Sequence, residues 1–441
     1  MVCIAHCGNS CGSALTLRYL LKSICLLWML AAAVTAMAQQ VGDGGDAPDP
    51  PASVPGSTPV DAETAAELPA AGTIDLTGLT DEERAMVQAF IEVREVWVET
   101  LVEMRQVQIR FNNSVEKDPR SMVRFRELRN LAREQLKDLF AAGVRLFETR
   151  PGDFESGSFL ATVLDYRKEN SIYEDSFHAA KLLIDSEIPM AELYLVAARA
   201  AFIEGRFDEV LPMYEAYVAA EGPDKIEDVD KQFVGMLEPY RDWWAEEIER
   251  RQAETEADDL PRVLLETTCG PVVLELFEDQ APNTVAHFLR LVEEEFYDGL
   301  DFYQVISDLL AMGGDPIGDG TGTYGRFIPD EHERADSRRI FRGSIFMAKM
   351  PADTEGTSYV PDTASSQFII ALVPMAPRER TQTVFGRVIE GLDVVCSFRR
   401  VDPAKKKENE VVMPPDRILT ARVVRKRDHD YEVKYVPAGG D

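Results

Sequence analysis

From position 80 onward, apolar residues recur every three or four positions. Met86, Val87, Phe90, Ile91, Val96, Trp97, Leu101 and Met104 would line one face of a helix. Thr80-x-x-Glu83 stands just ahead of that run, in the pattern by which threonine and glutamate cap each other's backbone N–H groups. Asp118-Pro119 offers an N-cap and a proline at the first helical position of a second long helix. That helix is expected to stop near Arg150-Pro151-Gly152, because the residue before a proline avoids helical angles. Two long antiparallel helices are the simplest arrangement. The helical texture continues to about residue 254, where the acidic stretch Glu254-Thr255-Glu256-Ala257-Asp258-Asp259 intervenes. Beyond it, short β-branched runs alternate with glycine-rich turns. The alternation on either side of Cys269-Gly270-Pro271 predicts an opening hairpin, and Ile418 to Val424 alternates as a closing strand.

Within the helical region a weak repeat has a 34-residue offset. Tyr173-Glu174-Asp175-Ser176-Phe177 aligns with Phe207-Asp208-Glu209-Val210-Leu211, Ala180 with Tyr214, and Leu183 with Tyr217. The second copy resembles a tetratricopeptide unit, in which small residues such as Ala198 and Ala201 allow close packing and Gly205 a tight turn. Two copies are fewer than the three or so that an independent solenoid needs. A peptide-binding concave face and a plain helical spacer both remain open.

The N-terminus changes the expected location. Arg18 and Lys22 precede an apolar run from Ile24 to Val34, followed by Ala36-Met37-Ala38, the three-part order of a secretory signal. The run is shorter than the roughly 20 apolar residues that span a bilayer. An uncleaved membrane anchor is the alternative. Cleavage would leave Cys269 and Cys396 as the remaining cysteines, a pair that an oxidising compartment would permit to bond. Residues 39–75, rich in Pro, Ala and Gly, have too little apolar surface to offset ordering and read as a flexible tether.

Charge narrows the partners. Acidic residues outnumber basic ones 77 to 47, a net charge of −30, which argues against a general nucleic-acid surface. The run Lys405-Lys406-Lys407 is brief and meets Glu408, so it reads as a solvated loop. Gly313 to Gly322 is glycine-rich but lacks the Gly-Lys-Ser/Thr of a phosphate loop. His178, His287, His332 and His429 show no pair at metal-ligand spacing, and Asp330-Glu331-His332-Glu333 reads as an exposed acidic turn.

The identifiable signal lies in six segments in order. They are Ala281-Pro282-Asn283-Thr284-Val285-Ala286-His287-Phe288-Leu289, Phe296 to Ile306, Gly313-Gly314-Asp315-Pro316, Gly343 to Ala348, Ser366-Gln367-Phe368-Ile369-Ile370, and Val384-Phe385-Gly386 to Gly391. In this order the segments resemble the cyclophilins, over about residues 262–426. The resemblance implies an eight-stranded antiparallel β-barrel with two helices and catalysis of X–Pro cis/trans isomerisation without metal or organic cofactor. It also implies a pocket in which an arginine donates toward the twisting amide.

At the pocket positions this sequence departs from the family. The Phe-His-Arg run is Phe302-Tyr303-Gln304, so Gln304 stands where the catalytic arginine belongs. The aromatic pocket floor is Leu309, the family's methionine is Leu310, and the glutamine before Gly-Gly-Asp-Pro is Met312. The second pocket phenylalanine is Ile369, and the substrate-facing histidine is Gln382, after Arg378-Glu379-Arg380-Thr381. Ala348 and Gln367 are retained.

The expected organisation is a signal over 1–38, a tether over 39–75 and an α-helical tetratricopeptide-like domain over 76–254. An acidic linker over 255–261, a cyclophilin-like domain over 262–427 and a surface tail over 428–441 follow. The expected protein is exported, periplasmic or extracellular, with no stable membrane span once the signal is removed. It acts on or binds prolyl polypeptides with weak or lost isomerase catalysis, and a further protein partner is possible on the helical repeats. The alternative is a non-catalytic prolyl-peptide-binding or scaffold module of the cell envelope.

Overall fold

A computed structural model describes residues 78–114, 118–353, 358–375, 381–402 and 415–437. The expected signal and tether, the Lys405 run and Arg378 to Arg380 lie outside the described residues. The chain divides between Thr162 and Val163 into two compact units.

The first unit contains the two long helices α1 (Asp81–Asn113) and α2 (Pro119–Thr149), and the opening of α3 (Phe154–Glu169). Thr80 caps α1: the Glu83 N–H donates to its hydroxyl at 3.2 Å, and its own N–H donates to the Glu83 carboxylate at 2.8 Å. Asp118 caps α2, with Pro119 first in the helix. The helices run antiparallel, since Met104, Val107 and Phe111 pack on Phe125 and Leu128, while the Trp97 indole N–H donates to the Ala132 carbonyl further back along α2. Val96 departs from the expected face. It is half exposed, because a helix turns about 100° per residue and the face is set by its buried neighbour Trp97.

In the second unit come α4 (Ser176–Asp185), α5 (Glu192–Ile203), α6 (Phe207–Glu221) and α7 (Asp228–Ala257). Phe202 of α5 stacks between Phe233 and Tyr240 of α7, with centroids 4.3 and 4.6 Å away. Gly205 turns the chain between α5 and α6 with φ +75°, and a Cβ there would stand 2.8 Å from the Trp244 indole nitrogen.

The same unit holds strands β1 (Arg262–Thr267), β2 (Gly270–Leu276), β3 (Gln304–Ile306), β4 (Leu310–Gly313), β5 (Ser344–Met347), β6 (Phe368–Ala371), β7 (Val384–Glu390) and β8 (Ile418–Arg425). They form one curled antiparallel sheet in the order β3-β4-β6-β5-β7-β2-β1-β8. Its two edges approach each other where Asp301 bridges Arg417 and the Phe302 N–H donates to the Asp416 carbonyl at 2.8 Å. Helices α8 (Pro282–Glu293) and α9 (Leu392–Cys396) pack on the interior, where Phe288, Val395, Phe368, Ile370 and Phe385 meet.

Strand alternation sends neighbouring residues to opposite faces. Ile345, Met347, Phe368 and Ile370 enter the interior cluster, while Phe346, Ile369 and Ala371 join a second one on the other face. Both faces of β5 and β6 are therefore apolar, and all four residues of each strand are buried. The tail from Asp428, expected at the surface, packs back: Tyr431, Val433 and Tyr435 rest against the interior cluster, and the Val436 N–H donates to the Phe327 carbonyl. Cys269 and Cys396 are both buried thiols, not bonded to each other. No described helix is long and apolar enough to cross a membrane.

Candidate functional site

Register assembles the site. Gln304 of β3 stands opposite Met312 of β4, Met312 opposite Ile369 of β6, Ile369 opposite Phe346 of β5, and Phe346 opposite Val384 of β7. Directly opposed residues share a face, so these five form one row across the non-interior face. Leu310 lies two residues from Met312 and opposite Ala371. Leu310, Met312, Ala348 and Met375 are half-buried against Phe346, Ile369, Ala371 and Val384. The result is an apolar row, buried at Phe346, Ile369 and Val384 and half-buried at Met312, that ends at the uncharged amide of half-buried Gln304.

One border of the patch is polar and tightly organised. The Tyr303 hydroxyl donates to Gln367 Oε1 at 2.6 Å and lies 3.9 Å from the Met312 sulfur. Burial pushes the Tyr303 phenol far up, so it remains a neutral donor at ordinary pH. Gln367 Nε2 donates to the carbonyls of Gly320 and Gly322 at 3.0 and 2.7 Å. The Asp315 carboxylate accepts from the Ile317 and Gly320 N–H groups, closing the glycine-rich loop on itself. The loop is thus held both by its own Asp315 and by Gln367 from outside it.

The cation nearest to Ala348 in sequence is Lys349. Its ammonium is buried and engaged by the Asp330 carboxylate and the Thr381 carbonyl. It is a structural ion rather than a donor presented beside Gln304. Among the described residues, no group of three or more His, Cys, Asp or Glu side chains is arranged to hold a metal.

Residues 262–423 match the family model described as cyclophilin type peptidyl-prolyl cis-trans isomerase/CLD. The peptidyl-prolyl cis-trans isomerase ppi1 of Schizosaccharomyces pombe is 37% identical over 138 residues, 31% of this chain and 83% of that protein. This chain belongs to the cyclophilin family. A peptidyl-prolyl cis-trans isomerase of Helicobacter pylori is likewise 37% identical, over 140 residues covering 31% of this chain and 80% of its own. Among solved structures, a cyclophilin type isomerase of Cryptosporidium parvum, in the presence of the dipeptide ala-pro, is 25% identical. The match covers 37% of this chain and 98% of that one, with a TM-score of 0.31.

For this cyclophilin, the structure brings Leu310, Met312, Ala348 and Ile369 into one cluster and sets Gln304 at its edge. Leu309 and Gln382 are half-buried on the segments just before Leu310 and Thr383, outside that cluster. Phe302 sits elsewhere. It is fully buried in the interior, its ring 4.3 Å from that of Phe398. Gln367 borders the patch but is bonded at both ends within the protein.

Sequence reasoning missed Phe346, Met375 and Tyr303. Phe346 was within reach, since it lies two positions before Ala348 on an alternating strand. Met375 was not, because its place depends on its N–H donating to the Ile340 carbonyl.

Proposed function

We propose that the sheet face carrying Gln304, Met312 and Ile369 binds prolyl segments of exported polypeptides, with weak or lost isomerase catalysis. Family membership supports the X–Pro substrate class. The carrying observation is the register that places Gln304, and not a cation, at the end of the apolar row.

The chemistry follows from what the reaction requires. Rotation about a peptide bond crosses about 18–20 kcal/mol because the nitrogen lone pair is conjugated with the carbonyl. A donor aimed at that nitrogen in the twisted state localises the lone pair and lowers the barrier, whereas a contact equally good in the planar state does not. An ionised donor makes a hydrogen bond roughly twice as strong as a neutral one. Gln304 retains the ability to donate without the charge, and Leu310, Met312 and Ile369 supply apolar contact for a proline ring.

The Arg18–Ala38 signal pattern supports an extracytoplasmic setting, and the helices over 76–254 supply a second contact to the same polypeptide. Linked weak sites raise avidity without either binding tightly. The second reading, a non-catalytic prolyl-peptide-binding or scaffold module of the envelope, is favoured by the same uncharged amide.

The test is a proline-isomer exchange measurement on the full chain with a prolyl peptide, beside Gln304→Arg. The parent is expected to bind the peptide with exchange roughly 10²–10³-fold below an arginine-containing relative, the usual scale for loss of one positioned donor. Equal turnover by the parent overturns the weakened-catalysis reading, and absence of peptide binding overturns the site.

A further inference from the structure

In the β3–β4 hairpin that carries Gln304 at one end, β4 pairs along its length with β6, but β3 has little sheet to hold it. β3 is 3 residues long and stands at the sheet edge. Its ladder to β4 has three pairs, and beyond it there is a single bridge from Val305 to Val401. At the tip, Asp308 adopts the left-handed region with φ 51°, which is unfavourable for a residue with a Cβ. On the β4 side the Leu309 carbonyl accepts from the Leu372 N–H at 3.0 Å, and the Asp308 side of the tip is held from outside the sheet.

The helical layer of the same unit holds it, through three side chains on one residue. Asp308 donates its N–H to the Ser171 hydroxyl at 3.0 Å. Its carboxylate accepts from the Tyr173 hydroxyl at 2.6 Å and from Arg199 Nη1 at 3.3 Å. On the other side of the turn, Arg400 Nε donates to the Ser307 hydroxyl at 2.7 Å.

The holders are themselves immobilised. Ser171 and Tyr173 are fully buried and Arg199 is 2% exposed. Arg199 makes a bidentate pair with Asp230 of α7 at 2.7 and 2.9 Å, and Tyr214 of α6 donates to the same carboxylate at 2.9 Å. The connection that carries Ser171 and Tyr173 is anchored a second time, since Glu174 receives Arg342 at 2.6 and 3.0 Å. The Cys396 thiol donates to the Ser171 carbonyl at 3.4 Å. Asp308 thus joins the hairpin to a network spanning α5, α6 and α7.

We infer that Ser171, Tyr173 and Arg199 are positioning residues of the sheet-face site: by holding Asp308 they set where Gln304 and Leu310 stand. This rests on the prolyl-peptide reading only for its functional consequence. Asp308 is four residues from Gln304 and two from Leu310, so a displaced tip moves both. The helical layer is then part of the site's construction and not a separate spacer, and whatever shifts α5 against α7 is transmitted to the hairpin.

The test uses the full chain with Asp308→Gly, Tyr173→Phe and Asp308→Asn. Glycine accepts the left-handed backbone without penalty, so Asp308→Gly removes the carboxylate while preserving the turn. Tyr173→Phe removes one hydroxyl only, and Asp308→Asn keeps an acceptor for Tyr173. Amide hydrogen exchange reports local opening directly. The expected result for Asp308→Gly is at least tenfold faster exchange in the β3–β4 ladder, with β1, β2 and β7 unchanged and the Gln304 side-chain amide resonance shifted. Tyr173→Phe gives a smaller change in the same residues, and Asp308→Asn restores most of the protection. Unchanged hairpin exchange in both Asp308→Gly and Tyr173→Phe overturns the inference, as does a Gln304 resonance that stays in place while the hairpin loosens. Titration with a prolyl peptide separates the two readings. Failure of the parent to bind overturns the peptide site and leaves the exchange result to decide the clamp. If the parent binds, Asp308→Gly is expected to weaken affinity about fivefold.

Discussion

Tyr303 and Gln367 are bonded side chain to side chain, hydroxyl to Oε1, at 2.6 Å. The consequence runs through the other end of the glutamine, whose Nε2 holds the carbonyls of Gly320 and Gly322. A residue that the family resemblance offers to substrate is here a brace between the β3 approach and the glycine-rich loop.

The brace predicts an order of effects. Tyr303→Phe removes one hydrogen bond and leaves Gln367 Oε1 free, so urea unfolding is expected to show a loss of about 1 kcal/mol. Gln367→Ala removes all three bonds and is expected to cost roughly 2–3 kcal/mol, with faster amide exchange over residues 315–322. If Gln367 served a ligand instead, Gln367→Ala would lower peptide affinity while leaving the loop protected.

Restoring a cation should restore only part of an isomerase. Gln304→Arg supplies the charge, but Leu309 and Ile369 still stand where the family places aromatic rings. The single substitution is expected to raise exchange turnover about tenfold. Combined with Leu309→Phe and Ile369→Phe, the gain is expected to approach roughly 10²–10³-fold, the scale of a well-positioned donor. Turnover of the combined variant no higher than that of Gln304→Arg would show that pocket shape does not orient the amide.

What was legible in the sequence follows from how far each relationship reaches. The capping box of Thr80 and Glu83 and the proline after Asp118 act over three residues or fewer, and the structure contains both. The family segments carried the sheet and pointed to Gln304, Met312 and Ile369, which the observed register sets in one row. Phe302 was harder. The family run placed it beside Gln304, but it precedes β3, where the backbone at Phe302 and Tyr303 is not yet a strand, and its ring turns into the interior. The contact between Arg199 and Asp308 joins residues 109 positions apart with no local signature, and only the packed structure shows it.

Two adjacent glycines at the end of β4 should respond differently to a methyl group. At Gly314, with φ +84°, a Cβ would stand 2.3 Å from the Ser366 carbonyl oxygen, a backbone atom that cannot move without disturbing Gln367. At Gly313 the nearest atoms belong to the Phe302 ring, at 3.2 Å. Gly314→Ala is expected to cost roughly 3 kcal/mol or to prevent folding, through left-handed backbone strain and the clash together. Gly313→Ala is expected to cost about 1 kcal/mol, since a few tenths of an ångström of ring movement relieves it. Equal midpoints in denaturant for the two variants would refute the asymmetry.

Acid sensitivity is predicted from His287. Its Nε2 lies 3.0 Å from the Ser365 carbonyl, an acceptor, so Nε2 carries the proton and the buried Nδ1 is left without a partner. Tyr324 and Tyr435 pack edge-on against the ring, and Arg290 and Arg326 oppose a second proton while Glu294 favours it. Burial dominates and pushes the imidazole down to about 4 from an ordinary 6.5. Between those values the unfolded chain takes up a proton that the folded chain refuses. The neutral ring's contribution is therefore fully present above pH 6.5 and lost as pH falls toward 4, by roughly 3 kcal/mol. His287→Phe cannot titrate. Its stability relative to the parent, from urea unfolding at pH 7.5 and pH 4, is expected to improve by that amount at the lower pH. A difference that stays constant would mean that His287 is protonated inside the fold.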